Sequence, residues 1–398
     1  MAWTEYYVRS DAAGGGDGTT DTNSGANGAW TLAEAITSLG TGASGSHRRV
    51  NIRGGTYSFT TTAHTINVNS SSPDTNLTWW RGFESTLGDL DDKPASANAT
   101  WTGPEFSYTS GSFTVTGFAH IFSNIKFTAT SRNDYVVINV PANTTLMSIF
   151  ARCVVDNQTA NAGAGAIRIG QENAGPACFG CHFKATGTAS RVVLASNSRE
   201  LFGCHIQGGI IGIENNGTGG AGIALQDCVF TGQSSHAIDI DPATTINLST
   251  RITGCTIYEC GGDGIRIADT NPGRSVLIAN NVFVRCGGYG INNLGSTVAR
   301  QSHFRLFGNR FYSCTSGTVN GFGDTPEFES GTTAAEPLVD GDNLDMRPSV
   351  SVPDDMLAFP AVFTGPITAI SKQASGALQN EPSGGSGGGP VLRSRILC

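Results

Sequence analysis

Charged residues are scarce in this chain of 398 residues. Lys, Arg, Asp and Glu together make up 14% of it, and aromatic residues make up 8%. Helical bundles are usually rich in Lys and Glu, so this composition argues against one. With 53 Gly residues and a formal net charge of -8, the chain instead has the composition of an all-β protein with many turns.

Basic clusters and long apolar runs are also missing. The longest basic run is HRR at residues 47–49. Because proteins that bind nucleic acid normally need a basic face, we expect no nucleic-acid partner. No apolar run reaches the length of a membrane-spanning helix, so we expect no membrane partner. The first residues, MAWTEYYVRSDAAGGG, show neither the basic nor the apolar region of a signal peptide.

Ten cysteines are too few for a disulfide scaffold of this length, but their positions repeat. A short phrase recurs in which an apolar residue is followed, three positions later, by Asn or Cys. Examples are FARCVVD at 150–156 and LFGCHIQ at 201–207. The phrase is anchored, at intervals of 23 to 29 residues, on Asn124, Cys153, Cys181, Cys204, Cys228, Cys255, Asn281 and Asn309.

Each repeat carries a second short run, such as GAIRIG, HAIDID and GDGIRIAD, in which apolar and polar residues alternate. This alternation is the period of a β-strand, and the Gly residues around it favour tight bends. Two or three short strands in a repeat of this length form one coil of a β-solenoid. The predicted fold is therefore all-β: a single-stranded right-handed parallel β-helix with an N-terminal helical cap and a flexible C-terminal tail.

Equivalent residues of stacked coils form columns in a solenoid. The anchors therefore predict a buried ladder of Asn and reduced Cys at one turn, and Cys260, Cys286 and Cys314 predict a second column. The pair Cys178 and Cys181 also reads as CxxC, but no second CxxC or paired His lies at zinc spacing, and His182 and His205 are expected to point outward. We expect no metal and no cofactor.

The two ends have different compositions. Residues 29–39, AWTLAEAITSL, have helical spacing and are expected to cap the open end of the solenoid. The predicted organisation is a strand, loop and cap over 1–47, a β-helix over 48–314, a loop-rich closing segment over 315–380, and a Gly-rich linker with a tail over 381–398. The tail VLRSRILC is either disordered or an anchor, and Cys398 could form an intermolecular contact.

The segment YYV…GGGDGTTDTNSGANGAWTLAEAI, followed by VNIRGGTY, resembles the entry of right-handed parallel β-helix proteins of the pectate-lyase-like superfamily. RGFESTLGDLDDKP (81–94) and SGALQNEP (375–382) resemble segments that flank the β-helix in members from phages and environmental bacteria. The resemblance implies the fold. It says little about function, because this fold serves lyases, hydrolases, tailspikes and inert virion parts.

Charged residues follow the second strand of several repeats. When the strands are aligned on their central Ile, the next position reads Arg168, Glu214, Asp239, Arg266 and Asn292, with Asp241 and Asp263 nearby. A carboxylate pair one coil apart, at roughly 5 Å, would fit a retaining glycosidase. The same pattern is also typical of ordinary ion pairs between coils. The weak catalytic candidates are Glu214, Asp239, Asp241, Asp263 and Arg266.

Two classes of function fit these features. The first is a structural virion protein of a tailed phage: a fibre, spike, collar or capsid-decoration component. Its expected partners are other virion proteins, which it contacts through its tail, and a surface polysaccharide. Its expected oligomeric state is a homotrimer. It is favoured because the motifs of polygalacturonase-like hydrolases and the Arg motif of pectate lyases are absent. The alternative is a polysaccharide lyase or glycoside hydrolase. The structural protein is expected in a virion that is made in a host cytoplasm, whereas the enzyme is expected to be secreted.

Aromatic residues give little support to sugar stacking. Phe122, Phe179, Phe202, Phe230, Phe283, Phe307 and Phe311 fall on positions that are expected to face the core. Trp79, Trp80 and Trp101 are the only candidates for a surface platform, and they fit a cap or a core equally well.

Overall fold

The structure is a computed structural model. It describes residues 3–39, 47–59, 64–68, 77–91, 95, 100–109, 113–117, 120–130, 136–140, 148–159, 165–169, 177–186, 191–195, 199–215, 222–240, 250–268, 275–294, 304–322, 329–332, 338–340, 345–348, 357–358 and 373–374.

The described residues form one helix and a long series of short strands. The first strand is β1 (Trp3–Val8), and the helix α1 spans Leu32–Leu39. The next strands are β2 (His47–Arg53), β3 (Gly55–Phe59), β4 (His64–Val68), β5 (Thr78–Phe83), β6 (Pro104–Tyr108), β7 (Phe113–Gly117), β8 (His120–Ser123), β9 (Lys126–Ala129), β10 (Val136–Val140), β11 (Ser148–Ala151), β12 (Val154–Asn157), β13 (Gly165–Ile169), β14 (Ala177–Phe179), β15 (His182–Ala185), β16 (Arg191–Ala195), β17 (Arg199–Phe202) and β18 (His205–Gly208). They continue with β19 (Ile211–Asn215), β20 (Ile223–Gln226), β21 (Val229–Thr231), β22 (Ile238–Ile240), β23 (Thr250–Thr253), β24 (Thr256–Tyr258), β25 (Ile265–Ile267), β26 (Val276–Ala279), β27 (Val282–Val284), β28 (Tyr289–Asn293), β29 (Phe304–Tyr312), β30 (Gly317–Asn320), β31 (Glu329–Thr332), β32 (Leu338–Asp340), β33 (Asp345–Pro348), β34 (Leu357–Ala358) and β35 (Gln373–Ala374).

Three strands make one coil, and each strand pairs in parallel with its equivalent in the next coil. Sheet I contains 21 strands and is folded along its length into two arms, and sheet II contains ten strands. In the coil that starts at β14, the chain runs through β14 in the first arm and β15 in the second arm, then through β16 in sheet II. The result is the parallel β-helix that the repeats predict.

A residue with positive φ bends the chain between the two arms in each coil from β8 to β29. Arg152, Gly203 and Asn280 occupy this position, with φ of 52°, 59° and 58°. The left-handed conformation favours Gly, Asn or Asp, because other side chains are strained there. A second left-handed bend follows the second arm at Glu259, Arg285 and Ser313.

The interior is one continuous stack of apolar side chains. Phe127, Phe183 and Phe230 of the second arm are fully buried, as are Ile213 and Ile238 of sheet II. Burial of a Phe side chain supplies several kilocalories per mole, and truncation to Ala costs about 3–5 kcal/mol in a packed core. Since no single coil can enclose such side chains, the coils are stable only when they are stacked.

Three of the Phe residues that were expected in the core lie on the outer surface. Phe179, Phe202 and Phe307 are partly exposed, whereas their preceding neighbours face inward and are buried. The prediction was wrong because both faces of these strands carry apolar residues, so the period of two does not distinguish inside from outside. The other four, Phe122, Phe230, Phe283 and Phe311, are buried in the core.

Helix α1 packs against the first coils. Leu32, Ala35 and Leu39 are buried in the same apolar cluster as the core of the β-helix. Thr31 begins the helix with a reciprocal cap: Glu34 N–H donates to Thr31 Oγ1 (3.2 Å), and Thr31 N–H donates to Glu34 Oε2 (2.8 Å). The helix expected over 29–39 therefore starts three residues later, at Leu32.

The parallel pairing extends beyond residues 48–314. Strand β1 pairs along its whole length with β2, and β30 and β31 continue the ladder as far as Thr332. The predicted limits of the β-helix were too narrow because the Asn/Cys phrase occurs only in the coils that carry a buried Asn or Cys beside the bend between the two arms. Cys398 and the segment 381–398 lie outside the described residues.

Candidate functional site

The outer face of sheet II brings four of the predicted residues together. Glu214 lies opposite Asp239 on the next coil, and Asp239 lies opposite Arg266. Leu194 separates Glu214 from Arg168 in the same column. Asp263 lies at the start of the strand that carries Arg266. Asp241 lies outside the described residues.

The carboxylates of this column are held by arginines. Arg266 donates two hydrogen bonds to Asp239, from Nε to Oδ1 (2.8 Å) and from a terminal nitrogen to Oδ2 (2.5 Å). The Asp239 side chain is only 3% exposed although it faces away from the core, because Arg266 lies beside it. Arg191, on the preceding coil, forms an ion pair with Glu214 at 2.6 Å. The two-point pairing of Arg266 with Asp239 fixes the position of that carboxylate.

Asp263 is bound by the next coil. Its Oδ1 accepts a hydrogen bond from Tyr289 N–H and its Oδ2 accepts one from Asn292 Nδ2, both at 2.8 Å. A Cβ atom at Gly288 would lie 2.2 Å from Asp263 Oδ1, so this close approach needs a glycine. Asp263 therefore links two coils through the backbone as well as through a side chain.

His236 also belongs to the site, and the sequence analysis missed it. Its Nδ1 accepts a hydrogen bond from Asp263 N–H (3.1 Å) and lies 3.6 Å from Asp263 Oδ2. Burial lowers the pKa of His236, and the charge of Arg266 lowers it further, against the opposing effects of Asp263 and Asp239. The neutral ring therefore carries its proton on Nε2, which makes it a hydrogen-bond donor rather than a base.

These groups give the outer face of sheet II a defined chemistry. Over five coils, from β16 to β28, it contains two guanidinium groups, three carboxylates, a neutral imidazole and the Asn292 amide. Arginine recognises carboxylates through paired hydrogen bonds, and the carboxylates and amide can accept from hydroxyl groups. Within the described residues, no cluster of His, Cys, Asp and Glu could hold a metal ion.

The predicted Cys ladder lies inside the bend between the arms. Cys153, Cys181, Cys204, Cys228 and Cys255 are at most 1% exposed. Most of these thiols donate to a carbonyl of the preceding coil, as Cys181 does to Phe150 O at 3.3 Å. Asn281 continues the ladder by donating to Ile252 O (3.1 Å), and Asn309 donates to Ile278 O (2.9 Å). Burial raises the pKa of Cys153, so that thiol is unreactive.

Asn124 does not belong to this ladder. Phe122 is in register with Phe150, so Asn124 aligns with Arg152 and Ile125 aligns with Cys153. Asn124 takes the left-handed position instead, with φ of 57°, and its Nδ2 donates to Asp91 Oδ1 at 2.9 Å. The prediction was off by one residue because Asn suits both positions.

The second column contains Cys260, Cys286 and Cys314, as predicted. Cys260 and Cys286 are buried, and Cys314 is partly exposed. Gln233 occupies the same position one coil earlier, where its Nε2 donates to three carbonyls, among them Thr231 O at 2.9 Å. All nine cysteines of the described residues are free thiols. The CxxC pair Cys178 and Cys181 is therefore part of the packing.

His182 and His205 lie on the outer side of the second arm, as predicted, because Phe183 and Ile206, which follow them, face the core. The two rings are nevertheless largely shielded from solvent. Their rings stack with centroids 4.2 Å apart, and His182 is 1% exposed. His182 Nε2 lies 3.0 Å from Gln207 Oε1, and His205 Nε2 lies 2.8 Å from Thr231 Oγ1. Burial, reinforced by the neighbouring ring, lowers the pKa of His182 to about 3, and burial lowers that of His205 to about 4. Both rings are neutral at physiological pH.

The tryptophans provide no open stacking platform. Trp80 is buried in the core, and Trp101 Nε1 donates to Pro104 O at 3.0 Å. Trp79 lies on the outer face, but the guanidinium groups of Arg49 and Arg81 lie 4.7 and 5.5 Å from the centre of its ring. These cations compete with a sugar for the ring.

Comparison with known proteins identifies the fold. A family model described as "Right handed beta helix region" matches residues 150–328. The crystal structure of pectate lyase Pel9A is similar with a TM-score of 0.55 and 13% sequence identity, over 96% of this chain and 97% of that chain. A rhamnogalacturonan lyase structure has a TM-score of 0.44 and 13% identity, over 84% of this chain and 88% of that chain. No curated protein sequence shows a significant match.

The chain is therefore a right-handed parallel β-helix. Pectate lyase Pel9A shares this fold. At this level of identity the similarity concerns the fold, and it assigns no role to a residue. The described part of the chain contains no helix of the length and apolarity that crossing a membrane requires.

Proposed function

We propose that the protein acts on an acidic polysaccharide at the outer face of sheet II, as a glycoside hydrolase. The observation that carries the proposal is the direct opposition of Glu214 and Asp239 on adjacent coils, each beside its own arginine. Adjacent coils are about 4.8 Å apart, close to the carboxyl separation of about 5–5.5 Å in retaining enzymes. Sugar units of an extended polysaccharide repeat at a similar spacing.

The ion pairs assign the two roles. Arg266 binds both oxygens of Asp239 and covers this carboxylate, so Asp239 would serve as the nucleophile once Arg266 releases one oxygen to the substrate. Glu214 would then serve as the acid and base, which requires Arg191 to turn from Glu214 to the substrate. A substrate carboxylate would provide that new partner for Arg191, since guanidinium groups bind carboxylates in pairs of hydrogen bonds. This requirement favours a polyuronate over a neutral glucan.

Hydrolysis is favoured over elimination for one reason. An elimination in which Arg266 is the base needs this arginine unprotonated, and Arg266 is bound through two hydrogen bonds to the carboxylate of Asp239. Such pairing stabilises the charged form of the guanidinium. The two reactions also leave different products, because elimination creates an unsaturated uronate that absorbs ultraviolet light.

The test is to incubate the protein with a panel of acidic and neutral polysaccharides and to measure new reducing ends and ultraviolet absorbance. We expect reducing ends without absorbance from an acidic polymer, and a loss of at least 100-fold in rate in Glu214→Gln and Asp239→Asn. Azide should partly restore Asp239→Asn by replacing the nucleophile. Glu259→Gln, which breaks an ion pair with Arg285 on an exposed bend, should keep full activity.

A second candidate is a structural protein of a tailed-phage virion, in contact with other virion proteins. It is favoured by the free state of nine thiols, which suits assembly in a reducing cytoplasm, and by the engagement of Asp239 and Asp263 within the fold. If the folded protein yields no product from any polymer of the panel, the hydrolase proposal fails and this candidate remains.

A further inference from the structure

The outer face of the first arm carries two parallel columns of side chains between β11 and β29. The inward residues, such as Cys178, Leu201 and Leu225, are fully buried, so the residues on either side of each point outward. In coil order, the column before the inward residue contains Ile149, Ala177, Glu200, Ala224, Arg251, Leu277 and Arg305. The column after it contains Ala151, Phe179, Phe202, Gln226, Thr253, Ala279 and Phe307.

This face is unusually apolar for an outer surface. Phe179 and Phe202 are partly exposed and stack on each other with centroids 5.2 Å apart. Phe307 and Leu277 are also partly exposed, whereas Ala151 and Ala279 lie at the floor of the face, 4% and 1% exposed. Contiguous apolar surface of this kind usually marks an interaction site.

We propose that this face binds the same face of a second copy of the chain, with the two rods antiparallel. The two-fold axis would lie in the interface, parallel to the strands, at the coil of Ala224 and Gln226. Coils at equal distances on either side of this coil then meet across the interface. A two-fold interface requires a surface that is complementary to itself under this operation.

The sizes of the side chains satisfy that requirement. Counting outward from the axis, Ile149 meets Arg305, and every other large apolar side chain meets a small one. The opposed pairs are Phe202 with Thr253, Phe179 with Ala279, Leu277 with Ala177, and Phe307 with Ala151. Large side chains can therefore fill the space left by small ones, as in well-packed interfaces.

The charges select the antiparallel arrangement. Glu200 lies one coil before the axis and Arg251 one coil after it. In the antiparallel dimer Glu200 meets the partner's Arg251, and symmetry creates this pair twice. In a parallel dimer each coil would meet its own equivalent, so that Glu200 would face the partner's Phe202 and no opposite charge. Charge complementarity of this kind specifies orientation more than affinity.

The interface is small. Seven coils at about 4.8 Å make a contact roughly 30 Å long and two side-chain columns wide. Such a contact buries roughly 600–800 Å² in total, less than the roughly 1,200 Å² of the smallest stable interfaces, so we expect a weak dimer with a dissociation constant of tens of micromolar. The dimer would leave sheet II uncovered, and it is independent of the proposed hydrolase activity.

Sedimentation velocity of the full chain between about 1 and 100 μM tests the proposal. We expect a reversible dimer. Glu200→Arg and Arg251→Glu should each weaken it at least tenfold, because each places two like-charged pairs in contact, and the double variant should return to within about threefold of wild type. Glu259→Arg, on another face, should leave dimerisation unchanged.

Cross-linking gives a second measurement. Ala224→Cys places two thiols opposite each other across the axis, and a short bismaleimide should join them far more efficiently than it joins wild-type chains. A monomer over the whole concentration range, or a trimer that is insensitive to both charge reversals, would overturn the proposal. So would a double variant that stays as weak as the single ones.

Discussion

Acid should unfold this protein through the stacked imidazoles of His182 and His205. The rings remain neutral in the fold because burial lowers the pKa of His182 to about 3 and that of His205 to about 4. In the unfolded chain an imidazole has a pKa near 6.5. The unfolded state therefore binds more protons between about pH 4 and 6.5, and stability falls as the pH is lowered through this range.

The size of the effect follows from the two sets of pKa values. Between pH 7 and pH 5, an imidazole that protonates only when unfolded costs about 2 kcal/mol of stability, and the pair costs about 4 kcal/mol. His120 is also buried, which lowers its pKa to about 4, so it adds to the loss in wild type and in variants alike. The nearby Lys184 also disfavours protonation of both rings.

The column itself provides a replacement for the pair. Val154 occupies the position of His182 in the preceding coil, and Val229 occupies the position of His205 in the following coil. In His182→Val/His205→Val the loss of stability between pH 7 and pH 5 should shrink by roughly 4 kcal/mol. Urea unfolding at pH 5, 6 and 7 measures it. If both proteins lose the same free energy over this range, the reasoning about the pair is refuted.

Three further predictions concern stability. Burial raises the pKa of Asp227 to about 7, so the folded state binds a proton that the unfolded state has lost, and stability falls as the pH rises through 7. Asp227→Asn should therefore raise the free energy of unfolding at pH 8 by more than about 1 kcal/mol and change it little at pH 4, which urea unfolding measures; an equal change at both pH values would contradict this. Asn281→Ala removes a donor to Ile252 O and the acceptor of Cys255 N–H, and it should cost about 2–4 kcal/mol in urea unfolding. Gly264→Ala would place a Cβ 2.6 Å from Phe283 Cδ1, so we expect the free energy of unfolding to fall by about 1–3 kcal/mol. An unchanged urea midpoint would contradict this, because it would mean that the core side chains rearrange to accept the methyl group.

The repeat made the fold predictable. Each coil has its own bend residue and its own buried anchor, and several coils repeat the signal along the chain. The wrong assignment of Asn124 shows that the repeated phrase alone does not fix the register of every coil. Asn fits a buried ladder and also fits a left-handed bend, so only the register of β8 with β11 distinguishes the two positions.

The candidate site was predictable only in part. The strand period placed Glu214, Asp239 and Arg266 on one face, because it determines which residues of successive strands align. His236 lies before its strand, and it reaches the site through hydrogen bonds to a residue 27 positions later in the chain. The stacking of the His182 and His205 rings likewise depends on packing between coils, which the sequence of one coil does not contain.

The bend between the arms has a consequence for how this molecule can vary. Successive ladder positions from Cys153 to Asn309 are separated by 23 to 28 residues, yet the unit of strand, bend and strand is 9 or 10 residues long in each of these coils. The differences in length therefore belong to the connections outside that unit. Adding a coil lengthens the rod, whereas lengthening a connection changes only its outline, so length and outline can change independently of each other.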